Sequence, residues 1–166
     1  MEGPLWDEMD SGRIEKNDTF ELLKSDYEYT EKEVEEAEKI IDNFNVHLEL
    51  DENMKSLFEN LSEEYNVYII SNFQNEPFKQ LLKSNPFLNN AKKIVISAEV
   101  KLLKPNPRIF KYLIENESLD PKETIFIDDK KENIKAAGKQ RIQGIIHKSY
   151  EDTLNELKSN FEITAS

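Results

Sequence analysis

Apolar positions along the chain change their spacing near residue 50. Before that point they recur at helical intervals. Phe20, Leu22 and Leu23 mark a helix over residues 18–25, and Val34, Ala37, Ile40, Ile41 and Phe44 mark a longer one. Thr30 can cap this second helix, with Glu33 at the capping-box position, and the pattern carries it through Asn43. Rows at this spacing are packing surfaces rather than ligand sites. After residue 50, short apolar runs alternate with amphipathic stretches. The pattern predicts helices over residues 51–63, 76–82, 106–115, 131–137 and 150–159. Met54, Leu57, Phe58 and Leu61 share a face of the first, Pro107 lies in the first turn of the third, and Gly138 is placed to cap the fourth. Between them, residues 66–70, 93–97, 124–127 and 142–147 are short, apolar and rich in β-branched or aromatic residues, which predicts strands.

Strands alternating with helices imply βαβ units, a parallel sheet and the α/β class. In such sheets the ligand site lies at the carboxyl ends of the strands. That rule gathers the polar residues following three apolar runs, Ser71-Asn72, residues 97–99 and Asp128-Asp129, along one edge of the molecule.

The 166 residues suit one domain with a small helical appendage. The hydrophobic fraction of 37% supports a core, and the charged fraction of 34% a heavily solvated exterior. A formal charge of -12 argues against a nucleic-acid footprint, which needs a basic face, and against an anionic membrane surface. The absence of cysteine excludes disulfides, thiolate metal sites and a cysteine nucleophile. The start, Met1 to Gly12, lacks the basic and apolar regions of a signal peptide, and no apolar run approaches the roughly 20 residues of a membrane span. The expectation is a soluble cytoplasmic protein.

Three polar clusters carry candidate chemistry. A carboxylate at the tip of a buried strand is partly desolvated, and a second beside it adds repulsion. A hard divalent cation compensates both, because Mg2+ uses one or two protein carboxylates together with water and substrate phosphate. Asp128 is the preferred ligand, with Asp129 supporting; the competing reading is a pair of helix-capping aspartates ahead of Lys131. Ser71 and Asn72 offer a hydroxyl and backbone N–H groups to a phosphoryl oxygen, although Ser-Asn is also an ordinary turn. Lys104 lies on a loop stiffened by Pro105 and Pro107, from which a lysine can be held over an anionic centre; plain solvent exposure is the alternative. His47 and His147 have no convergent partner and are read as surface or packing residues.

Taken in order, Ser71-Asn72 after an apolar strand, Lys104-Pro105-Asn106-Pro107-Arg108-Ile109-Phe110, and Phe126-Ile127-Asp128-Asp129 followed by Glu132-Asn133 and Ala136-Ala137-Gly138 resemble motifs two, three and four of the haloacid dehalogenase-like hydrolase superfamily. Trp6 and Ser11-Gly12-Arg13-Ile14-Glu15 are similar to the start of the helical cap in its dehalogenase and phosphatase branch. The resemblance implies a Rossmann-like parallel-sheet core over residues 49–166 and a partial helical cap over residues 1–48. It implies Mg2+-dependent transfer of a phosphoryl group to an aspartate, then hydrolysis, on a small phosphorylated molecule. By position, Ser71 and Asn72 would bind phosphate, Lys104 would stabilise charge on nucleophile and phosphate, and Asp128 and Asp129 would hold the metal. Lys101 and Leu103 depart from the third motif, where a small and a basic residue are usual.

The family's first motif is an apolar strand ending in Asp-x-Asp, whose first aspartate is the nucleophile. It is not found ahead of the cap. Glu8 and Asp10 are the nearest imitation, but Gly3 and Pro4 make the preceding residues a poor strand, so both are read as structural. That strand is the central one of the family's sheet, so the expectation is a core with its first strand missing. The sheet must then close directly, take a strand from a protein partner or another copy, or stay less stable. The 166 residues are expected to be inactive or nearly so. Two further readings follow: a catalytically dead domain that binds a ligand or partner, and non-phosphatase chemistry such as dehalogenation.

Overall fold

The computed structural model describes residues 4–26, 29–42 and 48–164. Three helices come first: α1 (Pro4–Asp10), α2 (Lys16–Ser25) and α3 (Glu31–Asp42). Helices α4 (Glu52–Glu64), α5 (Asn75–Ser84), α6 (Ser97–Val100), α7 (Pro107–Glu117), α8 (Lys131–Gly138) and α9 (Tyr150–Phe161) alternate with strands β1 (Tyr68–Ser71), β2 (Lys93–Ile96), β3 (Ile125–Asp128) and β4 (Gln143–Ile146). His47 and Phe44 lie outside the described residues.

Local chemistry sets the helix starts. The Asp51 carboxylate accepts from the N–H groups of Asn53 and Met54 and opens α4. Asn106 opens α7 through Arg108 N–H, with Pro107 in the first turn. Thr30 and Glu33 form the expected reciprocal box, in which Thr30 N–H donates to Glu33 Oε2 at 2.8 Å and Glu33 N–H donates to Thr30 Oγ1 at 3.3 Å. Gly138 departs from expectation. It lies inside α8, and the left-handed turn that follows is made by Arg141 at φ 66°.

The α/β architecture with parallel strands is as expected, but the sheet is not continuous. β1 pairs with β2 in the register Tyr68↔Lys93 to Ser71↔Ile96, crossing over through α5. β3 pairs with β4 from Ile125↔Gln143 to Asp128↔Ile146, crossing over through α8. Among the described residues no strand joins β1 to β3, so the sheet does not close directly.

Both pairs are covered on two faces. Tyr68 and Ile70 of β1 and Phe126 of β3 pack with Phe110 and Leu113 of α7 and with α8. Ile125 and Ile127 pack on the opposite face with Leu57 of α4 and Leu157 of α9. Alternate residues of β2 and β3 thus enter different cores, the two-sided burial that parallel sheets require. Phe110 is fully buried and meets Phe126 edge to face at 4.9 Å.

The leading helices have their own small core of Met9, Phe20 and Val34. They meet the α/β part where α1 approaches α6. The buried Ser97 hydroxyl donates to the Asp10 carbonyl at 2.5 Å and accepts from Phe73 N–H at 2.9 Å. Lys101 Nζ donates to the Gly12 carbonyl. Gly12 has φ 63°, and a Cβ there would come within 2.6 Å of the Ala98 carbonyl oxygen. Only glycine fits this close approach.

Candidate functional site

Ser71 ends β1, half-buried, and Asn72 follows it. The Asn72 side chain grips the main chain of Lys104 from both ends. Its Nδ2 donates to the Lys104 carbonyl at 2.9 Å, and Lys104 N–H donates to its Oδ1 at 2.8 Å. The Lys104–Pro105 peptide is cis. With its backbone held there, the Lys104 side chain crosses to the tip of β3. Nζ lies 2.8 Å from Asp128 Oδ2, and the two side chains are only 13% and 6% exposed, so water screens the pair little. The ammonium also sits 5.5 Å from the Phe126 ring centroid.

The other Asp128 oxygen is equally engaged. Oδ1 accepts from Lys130 N–H at 2.9 Å and from Asn133 Nδ2 at 2.8 Å. Burial alone would push the Asp128 carboxyl up. The Lys104 ammonium, by hydrogen bond and charge, and the donors from Asn133 and Lys130 outweigh it and hold the carboxyl below its usual range. Asp128 is therefore a fixed carboxylate at the end of a buried strand.

The structure thus links Asn72, Lys104 and Asp128 directly and sets Ser71 beside them at the strand tip. Asp129 is exposed and outside this network. Asn72 does not point its amide at an open site; both ends hold Lys104. Asn133 belongs to the network, although in the sequence it stands out only as part of a motif. The signal was its position in the first turn after Asp128, which lets a side chain reach back to the strand tip. Ser97, the middle cluster of the expected edge, faces α1 instead.

Asp10 ends α1 close to this edge, with Gln74 Nε2 3.4 Å from its Oδ1. Burial pushes its carboxyl up to about 6, against the pull of the Gln74 hydrogen bond and with a small further push from Asp7. Glu8 pairs with Arg13 at 2.6 Å. Both acids stand on a helix, as their structural reading requires.

Among the described residues there is no cluster of three or more His, Asp or Glu side chains suited to a metal. A hard cation needing one or two carboxylates still fits this donor set. Asp128 is ionised, rigid and oxygen-only, its Oδ2 accepts only from Lys104 among the described residues and keeps lone-pair capacity, and Asp129 is adjacent. His147 is occupied otherwise: its Nδ1 is 2.8 Å from Thr153 Oγ1.

Comparison with known proteins bears on this arrangement. The family described as haloacid dehalogenase-like hydrolase matches residues 12–147. Drimenol cyclase drtB of Aspergillus calidoustus is 22% identical over 165 residues, which are 97% of this chain and 31% of that protein. The chain therefore spans about a third of the length of that curated relative. A crystal structure of a family enzyme from Bacteroides thetaiotaomicron, in complex with magnesium and inorganic phosphate, has a TM-score of 0.69 at 26% identity, covering 87% of this chain and 74% of that one. A predicted hydrolase of the same kind from Porphyromonas gingivalis has a TM-score of 0.71 at 22% identity, covering 93% and 78%, a likeness of fold.

Proposed function

Since the chain belongs to the haloacid dehalogenase-like hydrolases, we propose that its strand tips form the phosphate end of a Mg2+-dependent phosphatase site for small phosphorylated molecules. The observation that carries this reading is the buried Lys104–Asp128 pair, held from below by Asn72 and Asn133. The complex of the Bacteroides thetaiotaomicron relative with magnesium and phosphate supports it. In this reading residues 49–166 are the core and residues 1–48 a partial cap above it.

Each residue has a role that its position suits. The Ser71 hydroxyl, at the tip of β1, donates to a phosphoryl oxygen. Lys104 donates to phosphate from an ammonium whose origin Asn72 fixes, so little is lost in ordering it when ligand arrives. Asp128 keeps that ammonium aimed, its Oδ2 lying 2.8 Å from Nζ. Asp128, with Asp129 beside it, would also hold Mg2+, which when bound draws charge from the phosphoryl oxygens and makes phosphorus easier to attack. Asn133 and the Lys130 N–H fix the orientation of the Asp128 carboxylate.

A second reading has its own observation. No Asp-x-Asp occurs anywhere in the 166 residues, so the polypeptide offers no acid placed like the family's nucleophile. In that case it binds phosphate or a partner without turnover. Dehalogenation would not need the metal that Asp128 and Asp129 suit, which argues mildly against it. An aryl-phosphate assay with Mg2+, paired with calorimetric titration of inorganic phosphate, separates these. Phosphate binding with negligible turnover by residues 1–166 is the expected result. Absence of phosphate binding with and without Mg2+ would refute the phosphatase reading of the site.

A further inference from the structure

The parallel register Ser71↔Ile96 brings the loops that follow β1 and β2 side by side. They are tied together at two places. At one, the Asn72 amide holds the Lys104 main chain from both ends, at 2.9 and 2.8 Å. At the other, Phe73 N–H donates to the Ser97 hydroxyl oxygen at 2.9 Å. On the first loop the two tied residues are neighbours. On the second they stand at either end of residues 97–104, so α6 lies between the ties.

Ser97 is 0% exposed, and its hydroxyl works in two directions. A hydroxyl has one proton and two lone pairs. The proton goes to the Asp10 carbonyl at 2.5 Å rather than to the Phe73 carbonyl at 3.5 Å. A lone pair takes Phe73 N–H. The flanking Ile96 and Ala98 are buried and apolar, so neither can replace that acceptor. The Phe73 ring is held separately, edge to face with Phe78 at 5.6 Å. What the hydroxyl fixes is the orientation of the Asn72–Phe73 peptide. The segment carrying Ser97 is itself anchored, because Lys101, at φ 58°, donates its ammonium to the Gly12 carbonyl.

The ties act in series. From the Asp10 carbonyl the hydrogen bonds run through Ser97 to Phe73, on through Asn72 to the Lys104 main chain, and through Nζ to Asp128 at 2.8 Å. A shift at Ser97 therefore reaches the ammonium at the strand tips.

We propose that Ser97 is a positioning residue of this site. Its hydroxyl sets the Asn72–Phe73 peptide, which places Ser71 and the Asn72 amide, and Asn72 in turn places Lys104. Its consequence for phosphate rests on the function proposed above, whereas its hold on the two backbones stands without it.

The test compares the 166-residue wild type with Ser97→Ala and with Thr19→Val. The second variant removes a hydroxyl that is also buried, at 1% exposure, and that donates to the Glu15 carbonyl in the leading helices. Amide hydrogen exchange is followed by NMR without ligand, and inorganic phosphate is titrated by phosphorus NMR. Ser97→Ala should speed exchange at both Phe73 and Lys104 by at least about tenfold and weaken phosphate binding by at least about tenfold. Thr19→Val should change none of these, which separates positioning from a general loss of stability. Unchanged exchange at Lys104 in Ser97→Ala would overturn the proposal, whatever happens at Phe73. So would equal phosphate affinity of Ser97→Ala and wild type, or an equal loss in both variants. A wild type that binds no phosphate would refute the proposed function instead, and exchange at Lys104 would still decide the role of Ser97. Should Ser97→Ala not fold, Ser97→Cys, a small side chain with weaker hydrogen bonding, is read in the same way.

Discussion

At the residue scale the Lys104–Asp128 pair decides most. Two charges were taken out of water, and each is tolerable because of the other. Removing one should therefore cost more than the pair contributes. Lys104→Met leaves a buried carboxylate with only Asn133 and the Lys130 N–H, and it should lose about 3 kcal/mol in urea denaturation. Adding Asp128→Leu should recover part of that loss, a sign that pairing, not packing, set the cost. Asp10 gives a second prediction, with a worked sign. Its folded carboxyl titrates near 6, above its ordinary value of 3.8. Between those values the folded state holds more proton than the unfolded one, so stability falls as pH rises from about 4 to 6. Asp10→Asn should flatten that slope, as melts of both proteins at pH 5 and 7.5 would show. Ser71 and Asp128 were legible in the sequence because polar residues after apolar runs collect at strand ends, and Lys104 because Pro105 and Pro107 stiffen its loop. The second role of Asn72 was not, because nothing in a Ser-Asn dipeptide says that its amide will grip a backbone 32 residues away.

At the element scale, periodicity located every strand to within about two residues, because two-sided burial makes these strands short and almost wholly apolar. It missed α1 and α6. Both are short, and α6 follows β2 with no intervening turn residue to announce it. The glycines separate what sequence could and could not say. Gly138 has the spacing of a cap, yet it lies exposed inside α8, and a Cβ added there would meet nothing within 4 Å. Gly138→Ala should stabilise the protein by about 0.5–1 kcal/mol, through helix propensity alone. Gly12→Ala should do the reverse. It needs positive φ and meets the Ala98 carbonyl, so a loss of about 2 kcal/mol or more is expected. Chemical denaturation of the two single variants checks both signs at once.

At the scale of the whole molecule, the α/β alternation and the family pattern were readable from order and spacing. Whether the strands would close into one sheet was not, since pairing between distant strands leaves no local signature. Among the described residues the chain presents two parallel pairs, with the linked Asn72, Lys104 and Asp128 at the carboxyl ends of β1 and β3. No described helix is long and apolar enough to cross a membrane. A formal charge of -12 surrounds a site expected to bind an anion. The local cation must therefore outweigh the global field, and phosphate affinity should rise as salt screens that field. Titration of inorganic phosphate between about 0.02 and 0.3 M salt measures this.

The most direct test is a phosphorus NMR titration of phosphate and Mg2+ into the wild-type chain and into Lys104→Met, each first shown by circular dichroism to be folded. If Lys104 holds the phosphate, binding to the wild type is saturable and affinity is at least about tenfold weaker for the variant, the loss of one charged hydrogen bond. Equal affinity of the two folded proteins would contradict that role.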